Sequence, residues 1–292
     1  MQLSFQRLPL AISLSVATIA ITTLSGCNNH RAMEESTPVT IIMPATQHSE
    51  SATHQQVHNT TDAHIPLWSY DEGLTGPAHW GSSIDAHSVC RTGVKQSPIN
   101  ITQASGSTET APITHYTPSD VDVKNNGHTI VFTLDNDDNT LMIHGEKYTL
   151  KQFHYHTPSE HQIAGVNYPA VIHFVHANDK EELAVIGVML NPTGENTALT
   201  KLIQTGIEAT QAHNTITIHN VDINKLLPTN SPYYHYSGSL TTPPCSEQVQ
   251  WFVMTKPLAV SQSTLATMIQ MYHDNNRPVQ PVGSRTVEVI NP

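Results

Sequence analysis

The octet Leu183-Ala184-Val185-Ile186-Gly187-Val188-Met189-Leu190 constrains the fold most tightly, because it is apolar at both phases of a strand. Side chains of a strand alternate between two faces, so a run without polar positions must be covered on both. It reads as a central strand of a large sheet. Other short runs rich in β-branched and aromatic residues, at Tyr148 to His156, Val171 to His176 and Val249 to Val253, read as its companions. Two segments carry helical periodicity instead. One runs from about Ala198 to Ala212, with Leu199, Leu202, Ile203 and Ile207 as its apolar face. The other begins near Ser261, a good N-cap, and turns Leu265, Met268, Ile269 and Tyr272 inward. The expected architecture is mainly β, one domain with a few peripheral helices.

Two of these strands hold an unusual set of histidines. In Gln152-Phe153-His154-Tyr155-His156 the alternation of a strand points His154 and His156 the same way, and the Val171 to His176 strand can present His173 from a neighbour. Three neutral imidazoles converging from two strands leave a tetrahedral metal one open position, which is what a catalytic zinc requires; a structural site would close it, usually with thiolate. No cysteine lies near them in sequence. The chain holds 19 histidines, so the His-x-His pair alone carries little weight, and it is His173 on a second apolar strand that gives the set its force.

Composition excludes some functions. The formal charge is -11, from 13 Lys+Arg against 24 Asp+Glu, and no basic cluster appears. Nucleic-acid binding rests on Lys and Arg neutralising phosphates, so no nucleic-acid partner is expected. Residues 1–27 read as an export leader: Arg7, then an apolar run studded with small residues, then Leu24-Ser25-Gly26-Cys27, which resembles the bacterial lipoprotein box with Cys27 as the lipidated residue. The alternative is an ordinary secretory signal in which Cys27 is incidental. Residues 28–64, rich in Thr, Ser, Gln and His and without periodicity, read as a flexible tether, and 65–292 as the folded domain. The expected location is the periplasmic side of a bacterial envelope, with the membrane reached only through the lipid.

Beyond these readings, the chain from about Trp68 to Val289 resembles an α-class carbonic anhydrase. The resemblance is carried by Gly76-Pro77-Ala78-His79-Trp80, Gln96-Ser97-Pro98-Ile99-Asn100-Ile101, Asn126-Gly127-His128, Gln152 to His156, Pro158-Ser159-Glu160-His161, His173, and Gly238-Ser239-Leu240-Thr241-Thr242-Pro243-Pro244. It implies a central, largely antiparallel twisted sheet with one zinc at the base of a cone-shaped cleft. It implies reversible hydration of carbon dioxide to bicarbonate by a zinc-bound hydroxide, with His154, His156 and His173 as ligands. Thr241 matches the threonine that orients the nucleophile, and Glu160 the carboxylate that receives the threonine's O–H. Val175, Val185, Leu240, Thr242, Val249 and Trp251 match the substrate pocket, and His128 the proton shuttle. Tyr70 and Asn126 match residues that order the intervening water. Gln152, two before His154, can hold that ligand's outer ring nitrogen. Relatives bridge cysteines at the places of Cys90 and Cys245, and an oxidising compartment favours that pairing over two reduced thiols. Two positions depart from the pattern. Val131 stands where an amide is usual, and Val171, two before His173, where a glutamate usually accepts the ligand's ring N–H. A substitute acceptor within hydrogen-bond reach of His173 is therefore expected. The competing functions are a non-catalytic binding module on the same scaffold and a zinc-buffering lipoprotein using its many histidines. A homodimer stays open.

Overall fold

The computed structural model describes residues 67–82 and 84–292. The leader, Cys27 and the tether lie outside the described residues. The apolar octet sits in the strand Leu183–Asn191, buried continuously from Ala184 to Leu190. Its two-sided burial follows from its place in a 13-stranded sheet. In chain order the main strands are β1 (Ser119–Asn125), β2 (Ile130–Leu134), β3 (Glu146–His156), β4 (Ala170–Ala177), β5 (Leu183–Asn191), β6 (Ile216–Val221), β7 (Tyr233–Ser239), β8 (Glu247–Met254) and β9 (Glu288–Ile290). Across the sheet they run β6-β1-β2-β3-β4-β5-β8-β7-β9. Neighbours along this path are antiparallel except β5 and β8, which are parallel. The expected mainly β, largely antiparallel single domain is what the chain forms.

Each face of the sheet has its own apolar layer. Phe153, Tyr155, Ile172, Phe174, Ile186, Val188 and Phe252 join the larger core. The alternate positions Val171, Val185, Met189, Val249, Trp251 and Val253 form a second cluster on the opposite side, the side toward which His173 points. A bulge keeps β3 in step with this division. Opposite β4 the pairing passes from Gln152 to Leu150, leaving Lys151 as the extra residue. Tyr148 and Leu150 before it, and Phe153 and Tyr155 after it, therefore all reach the larger core.

The helices cover that larger core. Helix α2 (Thr197–Ala212) opens on Asn196, whose side chain accepts from Leu199 N–H at 2.9 Å, and α3 (Gln262–Met271) on Ser261, which accepts from Thr264 N–H at 3.0 Å. Leu199, Leu202, Ile203, Leu265 and Met268 are buried as expected, and Tyr272 packs in part against them. Ile269 corrects the expectation: it is 42% exposed. At ten residues α3 offers only a narrow stripe, which Leu265 and Met268 already fill. On the cleft side, the short α1 (Val89–Thr92) is tied by the Cys90–Cys245 disulfide to the loop that carries Thr241 and Thr242.

One core histidine makes the fold acid-sensitive. His176 on β4 is fully buried; its Nδ1–H donates to Ala184 O at 3.2 Å, and Nε2 accepts from the Tyr116 hydroxyl at 2.6 Å. Burial pushes its pKa down to about 4. An unfolded histidine titrates near 6.5, so as the pH falls from there toward 4 the unfolded chain takes up a proton that the folded chain refuses. Stability is therefore complete above about pH 6.5 and is lost below it, by up to about 1.4 kcal/mol per pH unit for this group. Denaturant unfolding of wild type and His176→Gln between pH 7 and 4.5 checks this. The variant is expected to show the shallower decline, by about one proton, and parallel curves would assign the acid sensitivity elsewhere.

Candidate metal centre

The β3–β4 pairing sets His154 directly opposite His173, and Val171 opposite His156. One ligand atom from each of His154, His156 and His173 falls within 4.8 Å of the others. The outer nitrogens of two rings are held. His154 Nδ1–H donates to Gln152 Oε1 at 2.8 Å, and His156 Nδ1–H to Asn275 O at 2.6 Å, which leaves the Nε2 lone pair of each free for the site. His173 turns Nδ1 toward Glu160 Oε2 at 3.7 Å, the oxygen that His156 Nε2 approaches at 3.5 Å. Burial, reinforced by the neighbouring imidazoles, holds His154 and His173 well below the ordinary histidine pKa. They therefore present lone pairs, not protons, at neutral pH. His156 Nε2 and Glu160 Oε2 are buried without a hydrogen-bond partner. Three inward-facing imidazoles without a thiolate, and orphaned polar atoms beside them, fit zinc with an open coordination position.

Glu160 is fully buried, and desolvation raises its pKa. His156, the Arg277 backbone N–H (2.8 Å to Oε1) and the Thr241 hydroxyl act in the opposite sense, in that order. Thr241 thus lies against Glu160 as the resemblance implied, although its hydroxyl falls short of full hydrogen-bond geometry with Oε2. The sequence reasoning missed Asn275 and Arg277. They sit in irregular chain after α3, where no periodicity marks them. Asn275 holds His156 through its carbonyl, accepts from Thr157 N–H at 2.8 Å and donates to His128 O at 3.1 Å. Arg277 donates to Gln96 Oε1, Ser97 O and Cys90 O at 2.8, 2.8 and 2.9 Å, and its guanidinium stacks over Trp80. Burial lowers its pKa to about 10, so it stays charged.

A cleft of about 130 Å³ opens above the histidines, lined by Trp68, Tyr70, Asn126, His128, Val131 and Thr242 among others. His128 stacks flat on Trp68 at 3.7 Å between ring centres, and partial burial lowers its pKa. Tyr70 meets His156 edge-on at 6.3 Å; burial and the nearby Glu160 keep it a neutral phenol. Asn126 has a more local duty than the resemblance implied, since its Oδ1 accepts from His128 N–H and Thr129 N–H and shapes the turn. Val131 pairs directly with His154 across β2 and β3. Val185, Val249 and Trp251, with the half-buried Val175 and Leu240, gather in one apolar cluster beside the histidines.

Among the described residues no protein atom accepts from the outer nitrogen of His173: Nε2 is buried without a hydrogen-bond partner, and the side chain two residues earlier is the fully buried, apolar Val171. A second group that could hold a cation, Glu109, His235 and Glu288, lies away from the cleft among ordinary His–carboxylate contacts, such as His235 Nδ1 to Glu109 Oε2 at 3.8 Å.

The family model for eukaryotic-type carbonic anhydrase matches residues 75–291. A carbonic anhydrase of Klebsiella pneumoniae is 45% identical over 224 residues, covering 75% of this chain and 89% of that one. One from Pectobacterium carotovorum is 40% identical over 222 residues, covering 75% and 89%. The α-carbonic anhydrase of Thermovibrio ammonificans, solved in complex with the inhibitor sulfanilamide, superposes with a TM-score of 0.69 at 38% identity, over 76% of this chain and 98% of that one.

Arg277 supports the site from beneath, and its removal strands three buried acceptors at once. Arg277→Met is expected to lower the stability of the metal-free protein by about 3 kcal/mol or more, since a buried acceptor left without its charged donor costs about 1–3 kcal/mol. Urea unfolding measures it; a loss below about 1 kcal/mol would show that water replaces the guanidinium.

Proposed function

This chain belongs to the eukaryotic-type (α) carbonic anhydrase family, enzymes that hydrate carbon dioxide, and from that premise we propose a one-zinc mechanism with His128 as proton shuttle. His154, His156 and His173 would hold the metal. Bound zinc supplies Lewis acidity, lowering the pKa of a coordinated water to about 7, a magnitude taken over from this family itself. The observation that carries the reading is the inward convergence of three imidazoles, two of which face a buried carboxylate.

The remaining work belongs to the chain's own groups. Glu160 is an acceptor with one oxygen committed to Arg277 N–H, so its other oxygen is free to take the Thr241 O–H. A threonine whose proton is so engaged can only accept from the nucleophile, which fixes the direction of the attacking lone pair. Carbon dioxide has neither charge nor dipole, and the Val175, Val185, Leu240, Val249 and Trp251 wall offers it a surface that does not hold water firmly. Bicarbonate, being charged, gains nothing from such a wall and departs. His128 stands at the cleft with an imidazole that can take up and release a proton near neutral pH. A purely zinc-buffering role has less support, because buffering requires neither the apolar wall nor a buried Glu160 beside Thr241.

Two measurements test the proposal. The domain without its leader is expected to bind one tight zinc and to hydrate carbon dioxide in a stopped-flow assay, and His156→Ala to lose most of both together. Full activity in a demonstrably metal-free preparation overturns it. His128→Ala is expected to slow turnover in weak buffer by about tenfold or more, at the low edge of what a positioned proton-transfer group contributes, with partial rescue by added imidazole. Equal turnover of variant and wild type at low buffer removes His128 from the mechanism.

A further inference from the structure

Besides His156 Nε2, which faces the metal site, two buried ring nitrogens near it have no hydrogen-bond partner, and they belong to neighbouring rings. One is His173 Nε2, the outer nitrogen of a ligand; the other is Nδ1 of His161, a fully buried histidine that the proposed mechanism does not use. The two rings lie edge to face, 6.2 Å between centres. Val171, Tyr236 and Trp251, which share one apolar cluster, pack around them, with Trp251 4.9 Å from His173 and 4.6 Å from His161 between ring centres. Orphaned nitrogens are rare in such surroundings, and two in adjacent rings point to a common partner.

We infer that His161 is the positioning residue for His173: through one bridging water its Nδ1 takes the outer N–H for which Val171 offers no acceptor. The inference rests on the metal-centre reading above. At 6.2 Å between centres the rings are farther apart than a direct ring N–H to N bond would hold them, which leaves room for a single water. The protons can be assigned along the chain of contacts. His173 must keep Nδ1 bare for the metal, so its Nε2 carries the hydrogen. Tyr236 meets His161 Nε2 at 2.6 Å and Ser97 Oγ at 2.8 Å, and Ser97 Oγ in turn accepts from Ser239 N–H at 3.1 Å. With Tyr236 donating to Ser97, His161 donates Nε2–H to Tyr236 and turns a bare Nδ1 toward His173. The opposite assignment would set two N–H donors against each other in an apolar pocket. The water thus receives from His173 and donates to His161, and the ligand's ring is oriented from the Ser97–Tyr236–His161 line instead of from its own strand. Gly238 belongs to the same construction: a Cβ there would collide with Ser97 Oγ, Tyr236 and Trp251.

The experiment is the rate at which zinc-loaded protein yields its metal to a chromophoric chelator. His161→Phe, which keeps the ring but loses both nitrogens, is expected to release zinc about 10- to 100-fold faster than wild type, the usual effect of removing a ligand's outer partner. His161→Asn, whose amide oxygen sits near the place of Nδ1, is expected to restore most of the retention. In a Val171→Glu background, where a carboxylate can reach the His173 nitrogen unaided, the His161→Phe effect is expected to shrink severalfold. Should His161→Phe fail to fold, His161→Gln takes its place, since it keeps a partner for Tyr236 and drops the acceptor at Nδ1. Unchanged release in either variant overturns the inference. So does equal acceleration with and without Val171→Glu, which would mark a merely structural histidine. A wild-type domain that takes up no zinc overturns the metal-centre reading and this inference with it.

Discussion

The register between β3 and β4 is the constraint on which the rest of this molecule depends. His154 opposite His173 is one rung of a ladder whose next rungs toward each side are Phe153 with Phe174 and Tyr155 with Ile172. Those pairs drop into the larger core, and Phe153 stacks on both Phe132 and Phe174 at 4.8 and 5.3 Å. A slip of β3 by one residue would turn Phe153 and Tyr155 toward the cleft and drive His154 and His156 into hydrocarbon, so core burial fixes which imidazoles meet. The bulge at Lys151 makes this compatible with a long strand, since without it the two halves of β3 would face their apolar side chains in opposite directions.

Burial sets the chemistry as firmly as it sets the fold. In water a cluster of histidines would be partly protonated near neutrality and would repel a cation. Within the sheet, desolvation removes those protons from His154 and His173, and each imidazole further disfavours charge on the next. The same desolvation works against the ionised form of Glu160 and raises its pKa, opposed by its facing His156 imidazole and by a hydrogen bond from the Arg277 backbone. Arg277 serves twice, with its amide holding Glu160 while its guanidinium ties the Gln96-Ser97 segment to Cys90. The guanidinium is spent on carbonyls, and its charge reaches Glu160 only as the smallest of the influences that favour the carboxylate.

Much of this was legible in the sequence. The two-faced octet announced a central strand, Ser261 caps the helix it precedes in the periodic pattern, and alternation alone put His154 and His156 on one face with Gln152 behind them. What was not legible depends on irregular chain or on distance in sequence. Asn275 and Arg277 follow no period, yet each touches residues more than a hundred positions away. The stacking of His128 on Trp68 needs a loop path that pattern does not encode. The exposure of Ile269 shows the limit of a helical stripe when the helix is short. The acceptor expected for His173 could not be named from sequence for a different reason. The rule that a ligand's outer nitrogen is held is a statement about pairs, and Val171 shows only that one partner is apolar, not which other side chain comes near.

The cost of this arrangement falls on the protein without its metal. His156 Nε2 and Glu160 Oε2 are both sealed from solvent and unpaired, 3.5 Å apart, a distance at which neither bonds well to the other. An apolar replacement would be cheaper for the fold, since buried polar groups stabilise only when satisfied. A divalent cation held by the imidazoles would supply the lone pair of His156 with a partner and the buried carboxylate with compensating charge. Binding free energy at such a site is partly folding free energy, because it relieves penalties that the polypeptide carries alone. Some of the remaining stability then has to come from connections that do not involve the metal: the continuous β5 core, the Cys90–Cys245 link and the Arg277 contacts. None of these residues is among those that line the cleft above the histidines, so they can hold the site while its mouth remains open.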